Sequence, residues 1–180
     1  MKTVFAIGAL TAAVVSAASA DVTYTFTNQV WTGFNFNEAY AAGTLTGTLT
    51  GATVYATLNA STNYTYANDL TIYVAGSPLA LGGMLQCGGF SPLNATQRYF
   101  WANGSSSAPG AIVSGTVNFT TGINMAANPT MSIWIGNGYG AAGTSGTFTG
   151  SITLLGVSAV PAPGAIALLG LAGLVGRRRR

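Results

Sequence analysis

The chain contains no histidine and very few charged residues. Its 180 residues include six Lys or Arg, three Asp or Glu and one cysteine. Without histidine there is no Ser-His-Asp or Cys-His arrangement and no histidine-ligated zinc. Glycoside hydrolysis requires two suitably placed carboxylates, and nothing in the spacing of Glu38 and Asp69 indicates such a pair. We therefore expect that the protein is not an enzyme and that it holds no cofactor or metal ion.

Most of the positive charge lies at the two ends of the chain. Lys2 is near the start and residues 177–180 are all arginine. The charged residues between these ends are Asp21, Glu38, Asp69 and Arg98. No basic stripe is available to follow a phosphate backbone, so nucleic acid is excluded as an expected partner.

The first twenty residues, "MKTVFAIGALTAAVVSAASA", have the organisation of a secretory signal peptide. Lys2 is followed by an apolar run of about a dozen residues, shorter than the roughly 20 needed to span a bilayer. Ala18 and Ala20 then form the small-x-small pattern that signal peptidase reads. We predict a signal helix over residues 1–20 with cleavage before Asp21.

Cys87 is the only cysteine, so the chain has no internal disulfide. A lone cysteine in an exported protein is either a small apolar core residue or a free thiol that links two chains. The sequence leaves both alternatives open.

The middle of the chain has the composition and periodicity of β-strands. It is rich in Thr, Gly, Asn and aromatics, which disfavours helix and favours pleated strands. The segments with strand patterns are "DVTYTFTNQVW", "TLTGTLTGATVYATL", "DLTIYVAG", "QRYFWA", "AIVSGTVNF", "MSIWIG" and "GTFTGSITLLGV". Turn signals such as Gly76-Ser77-Pro78, Gly88-Gly89 and Asn128-Pro129 separate them. This spacing predicts an all-β fold, a single β-sandwich or jelly-roll-like domain over residues 21–158 with about eight to ten strands.

The alternation also predicts which face of each strand is buried. In the first segment Val22, Tyr24, Phe26 and Val30 are expected on the core side. In the last, Phe148, Ile152 and Leu154 are expected there, opposite a run of Thr and Ser. The outer faces should therefore carry hydroxyl groups rather than ions, and the sheet edges lack the lysines that commonly guard against edge-to-edge association.

Aromatic side chains are the candidates for ligand contact, because the C–H faces of sugar rings pack well on flat aromatic surfaces. The candidates are Trp31, Trp101, Trp134, Tyr99 and Tyr139. Trp134 is the best of them, since it alternates with the apolar residues Ile133 and Ile135. Core packing is the alternative explanation for all five.

The C-terminal segment, residues 159–180, has the organisation of a transient membrane anchor. Pro161 and Pro163 force an extended, exposed segment that a processing enzyme can bind. Residues 164–176 carry no charge, and as a helix at 1.5 Å per residue they reach about 20 Å, less than the roughly 30 Å hydrocarbon core. Arg177, Arg178, Arg179 and Arg180 then hold the end of the chain on the cytoplasmic side as a stop-transfer signal.

This tail resembles the PEP-CTERM sorting signal of exported bacterial proteins. Val160, Pro161, Ala162 and Pro163 match the Val-Pro-x-Pro form of its motif, with Ala162 in place of the usual glutamate. The resemblance implies recognition by an exosortase, transient anchoring in the inner membrane, and a final location at the surface or in the extracellular matrix of a Gram-negative-type bacterium that makes exopolysaccharide. It does not indicate what the preceding domain does.

The leading interpretation is an exported surface or matrix protein that acts by adhesion or assembly. The alternative is a carbohydrate-binding module that holds exopolysaccharide. The sequence does not predict the oligomeric state.

Overall fold

The computed structural model describes residues 21–161, and within this range nearly all regular structure is β-strand. The nine strands are β1 (Val22–Thr32), β2 (Phe36–Tyr40), β3 (Leu45–Thr62), β4 (Leu70–Gly76), β5 (Leu85–Cys87), β6 (Gln97–Tyr99), β7 (Ala111–Asn124), β8 (Met131–Asn137) and β9 (Ser145–Ala159). One 3₁₀ turn, Ala67–Asp69, precedes β4. The prediction of an all-β fold is therefore confirmed.

The strands form two sheets arranged like a sandwich. The first sheet has four strands in the order β1-β9-β3-β7, and the second has five in the order β2-β8-β4-β5-β6. All pairs are antiparallel except β5 with β6. Buried side chains from both sheets form one continuous core that includes Leu49, Val54, Ile72, Ile133 and Ile152.

The outer face of the first sheet carries the hydroxyl groups that the alternation predicts. Thr23, Thr153, Thr53 and Thr116 lie in register across its four strands. The hydroxyls of Thr23 and Thr153 are 2.8 Å apart, and those of Thr53 and Thr116 are 2.7 Å apart. Cross-strand hydroxyl pairs of this kind stabilise the sheet without placing charge on its surface.

A β-bulge corrects the predicted face pattern of β1. Phe26 pairs with Gly150 and Gln29 with Phe148, so one extra residue is inserted on β1. Asn28 lies in this bulge with a φ of 48°. Because side chains alternate with period two, the insertion reverses the pattern that follows. Val30 is consequently exposed, contrary to the prediction, and the next residue, Trp31, is buried in the core instead.

The second sheet is covered on its outer side by the two loops that flank β5. The phenol oxygen of Tyr73 accepts the Gly83 N–H (2.6 Å), and its hydroxyl lies within hydrogen-bond distance of the carbonyls of Ala80 and Leu93 (3.0 and 3.1 Å). Tyr73 and Leu93 belong to a second small apolar cluster, against which Trp134 packs. Among residues 21–161 no helix has the length and apolar character needed to cross a bilayer. The predicted signal helix and the predicted membrane helix over 164–176 lie outside the described residues.

Candidate functional site: an aromatic cleft at one end of the sandwich

Loops that leave the ends of several strands meet at one end of the sandwich and enclose a cleft. The segments are those after β3, β5, β6 and β8, together with the 3₁₀ turn before β4. The cleft consists of two adjoining depressions of about 220 and 200 Å³, which share Tyr66, Asp69 and Phe90 in their linings. We call the two depressions together the aromatic cleft.

The aromatic cleft concentrates the exposed aromatic side chains. Tyr64 and Phe90 are each 74% exposed, Phe100 is 60% exposed and Tyr66 is 40% exposed. Within residues 21–161 the other large aromatics in this exposure class are Phe34 and Tyr55. Apolar rings gathered on a surface, rather than scattered singly, mark a site of binding. Tyr139 completes the second depression, with its ring edge-on to that of Phe90 at 5.8 Å between centroids.

Asp69 fixes the walls of the cleft. Its carboxylate accepts the backbone N–H of Tyr66 (2.7 Å) and that of Phe90 (3.0 Å), so one side chain joins two loops. Its own carbonyl accepts the N–H of Gly138 (2.7 Å), which adds a third. Asp69 is only 3% exposed, and burial raises the pKa of its carboxyl, although the two backbone hydrogen bonds act in the opposite direction. Both carboxylate oxygens of Asp69 already accept backbone N–H groups, which favours a role in positioning the loops around the cleft.

Two glycines allow the loop after β5 to pack closely against the residues beneath the cleft, Leu70, Thr71 and Trp101. Gly88 and Gly89 have φ values of 84° and 79°, a left-handed conformation that favours glycine. A Cβ on Gly88 would collide with the Leu70 carbonyl and the indole of Trp101, and one on Gly89 with the hydroxyl of Thr71. The predicted turn at Gly88-Gly89 therefore also carries Phe90 to its position in the cleft.

Polar groups beside the rings supply hydrogen-bonding capacity. The Asn68 amide donates to the Ser105 hydroxyl at 3.1 Å, and both residues line the first depression. Backbone bonds from Ala67 N–H to Ser106 O (2.9 Å) and from Asn68 N–H to Gly104 O (3.0 Å) hold this loop in place. The cleft thus combines flat apolar faces with a few polar donors and acceptors, the usual composition of a ligand-binding site.

The three tryptophans singled out from the sequence are not arranged as a sugar-binding surface. Trp31 is fully buried between Phe26 and Phe148, with ring centroids at 5.4 and 5.8 Å. Trp101 is 5% exposed and donates its indole N–H to the Leu70 carbonyl (2.7 Å). Neither offers a free face for stacking, so this interpretation is corrected for both. Trp101 contributes only to the lining of the first depression.

Trp134 lies on the side of β8 opposite the buried Ile133 and Ile135, as predicted. It is half-buried against the apolar cluster that includes Phe36 and Tyr73, away from the aromatic cleft. Its indole N–H is buried without a hydrogen-bond partner among the described residues.

The two tyrosine candidates differ. Tyr139 lines the cleft. Tyr99 packs on Phe119 at 4.9 Å between ring centroids, and its hydroxyl accepts the Thr120 N–H (2.7 Å). The aromatics that sequence reasoning missed are Tyr64, Tyr66, Phe90 and Phe100. All four lie a few residues beyond the end of a strand, which is the only feature of the sequence that sets them apart. That feature identifies a site only when the fold shows which strand ends lie together.

The remaining candidate residues lie near or beyond the ends of the described chain. Val160 is 46% exposed and follows directly on β9, with its N–H bonded to the Thr44 carbonyl (2.8 Å). Pro161 is also exposed. The rest of the sorting motif (Ala162 and Pro163), the four terminal arginines and the signal peptidase positions Ala18 and Ala20 lie outside residues 21–161.

Metal-ligating side chains do not converge in the part of the chain that the structure describes, where no group of three or more His, Cys, Asp or Glu is close enough to hold an ion. Comparisons of the chain with protein-family models, with curated proteins and with solved structures find no match.

Proposed function

We propose that the protein is an exported adhesive protein of the bacterial surface or extracellular matrix, and that its folded domain binds polysaccharide through the aromatic cleft. The order of segments in the sequence supports export: a signal helix, a jelly-roll-like β-sandwich, a Val-Pro-x-Pro motif, a short membrane helix and a basic end. In this proposal an exosortase processes the tail while the inner membrane holds it transiently. The exposed Val160 and Pro161 are accessible to such an enzyme.

The observation that carries the binding role is the exposure of Tyr64, Tyr66, Phe90 and Phe100 around one cleft. Leaving four rings in water is unfavourable unless a ligand covers them, and sugar rings present C–H faces that fit this surface. The neighbouring amide of Asn68 and hydroxyl of Ser105 suit sugar hydroxyls. A binding role is favoured over a catalytic one because the carboxylate of Asp69 is already engaged by two backbone N–H groups.

Glycan binding by the purified full chain tests this proposal. We expect calorimetric titration against a panel of neutral and uronic oligosaccharides to detect binding to at least one of them. Tyr64→Ala and Phe90→Ala should each weaken that binding about fivefold or more, since one ring contact contributes roughly 1 kcal/mol. Tyr55→Ala is the matched control, because Tyr55 is 62% exposed but lies in β3 outside the cleft. Absence of binding to every glycan in the panel would refute the carbohydrate-binding role.

A purely structural role is the second candidate, and the edges of the first sheet favour it. β7 and β1 are the outer strands of that sheet, and neither contains a charged residue. Long edge strands without charge are prone to pair with other strands. Sedimentation that shows self-association, lost on Asn118→Lys in β7, would support assembly through this edge, whereas a monomer at all concentrations would exclude it.

A further inference from the structure

Arg98 lies beside the aromatic cleft and contacts three residues that line it, Gly89, Phe90 and Phe100. Its Nη2 donates to the carbonyl of Phe90 (2.6 Å) and to that of Gly89 (3.3 Å). The centre of its guanidinium lies over the ring of Phe100, 4.7 Å from the ring centroid. The cation is thus held by the backbone carbonyl of Phe90 and the ring of Phe100, two residues proposed to contact a ligand.

This guanidinium retains unused binding capacity. Arg98 is exposed, and its Nη1 and Nε groups have no hydrogen-bond partner among residues 21–161. It is also the only Lys or Arg in that range. Because the chain has so few charges, this one fixed cation beside a set of exposed rings makes the cleft favour a negatively charged ligand.

We infer that the aromatic cleft takes an acidic polysaccharide, one whose uronic acid carboxylate is bound by Arg98 while a sugar ring lies against Phe90 and Phe100. This inference rests on the proposed glycan-binding function and specifies its ligand class. Hydrogen bonds from a guanidinium to a carboxylate are stronger than neutral ones, and a guanidinium, unlike an ammonium, also stacks on an aromatic face.

The carboxylates of the protein do not oppose this preference. Asp69 is buried, and both its oxygens accept backbone N–H groups inside the loops. Asp21 accepts the Gly156 N–H at the opposite end of the sandwich, and Glu38 lies in β2, in register with Trp134. An acidic ligand at the rim therefore meets the exposed Arg98 before any carboxylate.

The test compares oligogalacturonate with its fully methyl-esterified form, which keeps the sugar chain and removes the charge. We expect the purified full chain to bind the acid at least about tenfold more tightly than the ester, the factor that one charge-assisted hydrogen bond supplies. Binding of the acid should weaken as salt is raised, and binding of the ester should not. Arg98→Gln should equalise the two affinities, and Arg98→Lys should retain part of the difference.

The outcomes separate this inference from the proposed function. Equal binding of acid and ester by the wild-type protein, without salt dependence, would overturn the preference for acidic sugar and leave glycan binding intact. A preference that survives in Arg98→Gln would also overturn it. Failure to bind any oligosaccharide of the panel would instead refute the glycan-binding function itself. Because the salt dependence is measured on the wild-type protein, the inference remains testable if Arg98→Gln does not fold.

Discussion

Cys87 shows how its surroundings determine the chemistry of a single side chain. It lies in β5, in the core between the sheets, fully buried and unpaired. Burial raises the pKa of its thiol well above the ordinary range, because the thiolate is not solvated there. Of the two interpretations left open by the sequence, the structure favours the apolar core residue.

We predict that Cys87 does not react with a thiol reagent in the folded protein and reacts fully after denaturation. The thiolate is the reactive form, and burial suppresses both its formation and its access to the reagent. Thiol titration with and without denaturant measures this directly. A Cys87→Ser protein that carries Thr25→Cys on the exposed side of β1 is the positive control. Rapid native labelling of Cys87, or a dimer that dissociates on reduction, would contradict the prediction.

Asp69 allows a pH prediction whose sign follows from its burial. Because the pKa of its carboxyl is raised in the folded protein, the folded state binds this proton more tightly than the unfolded state does. The contribution to stability is therefore fully present below the unfolded pKa and is lost as pH rises through the folded pKa. We expect the free energy of unfolding to fall as pH is raised from about 3 towards 7.

Denaturant unfolding across this pH range, on wild type and on Asp69→Asn, tests the assignment. The slope due to Asp69 should disappear in Asp69→Asn, whatever that change does to overall stability. Glu38→Gln removes an exposed carboxyl and controls for the loss of a negative charge as such. If Asp69→Asn keeps the wild-type pH slope, then Asp69 is not its source.

At the scale of the secondary-structure element, the bulge in β1 decides which aromatic residue enters the core. The Asn28 N–H is bonded to the Thr149 hydroxyl (2.9 Å), and its side-chain oxygen accepts from the Asn59 amide (2.8 Å). These bonds hold Asn28 in a left-handed conformation that asparagine tolerates better than most residues. The bulge in turn positions Trp31 between Phe26 and Phe148.

We predict that Asn28→Gly is more stable than Asn28→Ala by about 1 kcal/mol, since both lose the amide but only alanine bears a Cβ in the left-handed region. At Thr25, an ordinary exposed strand position, the order should reverse, because glycine weakens a regular strand by roughly 0.5–1 kcal/mol relative to alanine. Denaturant midpoints of the four variants measure both differences. The same order at both sites would show that the conformation of Asn28 does not constrain β1.

The element scale also shows how far sequence reasoning reaches. The seven predicted segments all contain strands, and the alternation in β9 correctly identifies Phe148, Ile152 and Leu154 as buried. It does not identify Val157, which is buried three residues after Leu154. β2 and β5 lie outside the predicted segments, since five and three residues show too little alternation. β6 is equally short and is predicted only because the aromatic run "QRYFWA" contains it. The prediction that Val30 is buried was wrong because of the bulge. The bulge depends on the left-handed Asn28 and on its hydrogen-bond partners in β9 and β3, and no local sequence pattern reveals these.

The aromatic cleft belongs to the scale of the whole molecule, and this is why the sequence did not predict it. Its rings come from segments that lie far apart in the chain, from Tyr64 to Tyr139. Only the sheet order brings these strand ends together. A tryptophan ring suits sugar stacking and core packing equally, and Trp31 and Trp101 are buried in the core.

The export proposal also concerns the whole molecule, and replacing Pro161 and Pro163 with Ala tests it. We expect the full-length precursor of the double variant to remain in the inner membrane, because the extended segment that the exosortase would read becomes free to adopt other conformations. Pro109→Ala, a change at an exposed loop proline, should leave processing unaffected. Immunoblots of membrane and released fractions, with mass spectrometry of both ends of the released protein, measure the outcome.

Released wild-type protein that begins before Asp21 would refute the proposed signal cleavage. Released protein that still carries its terminal arginines, or normal release of the double variant, would mean that the tail is not a processed sorting signal.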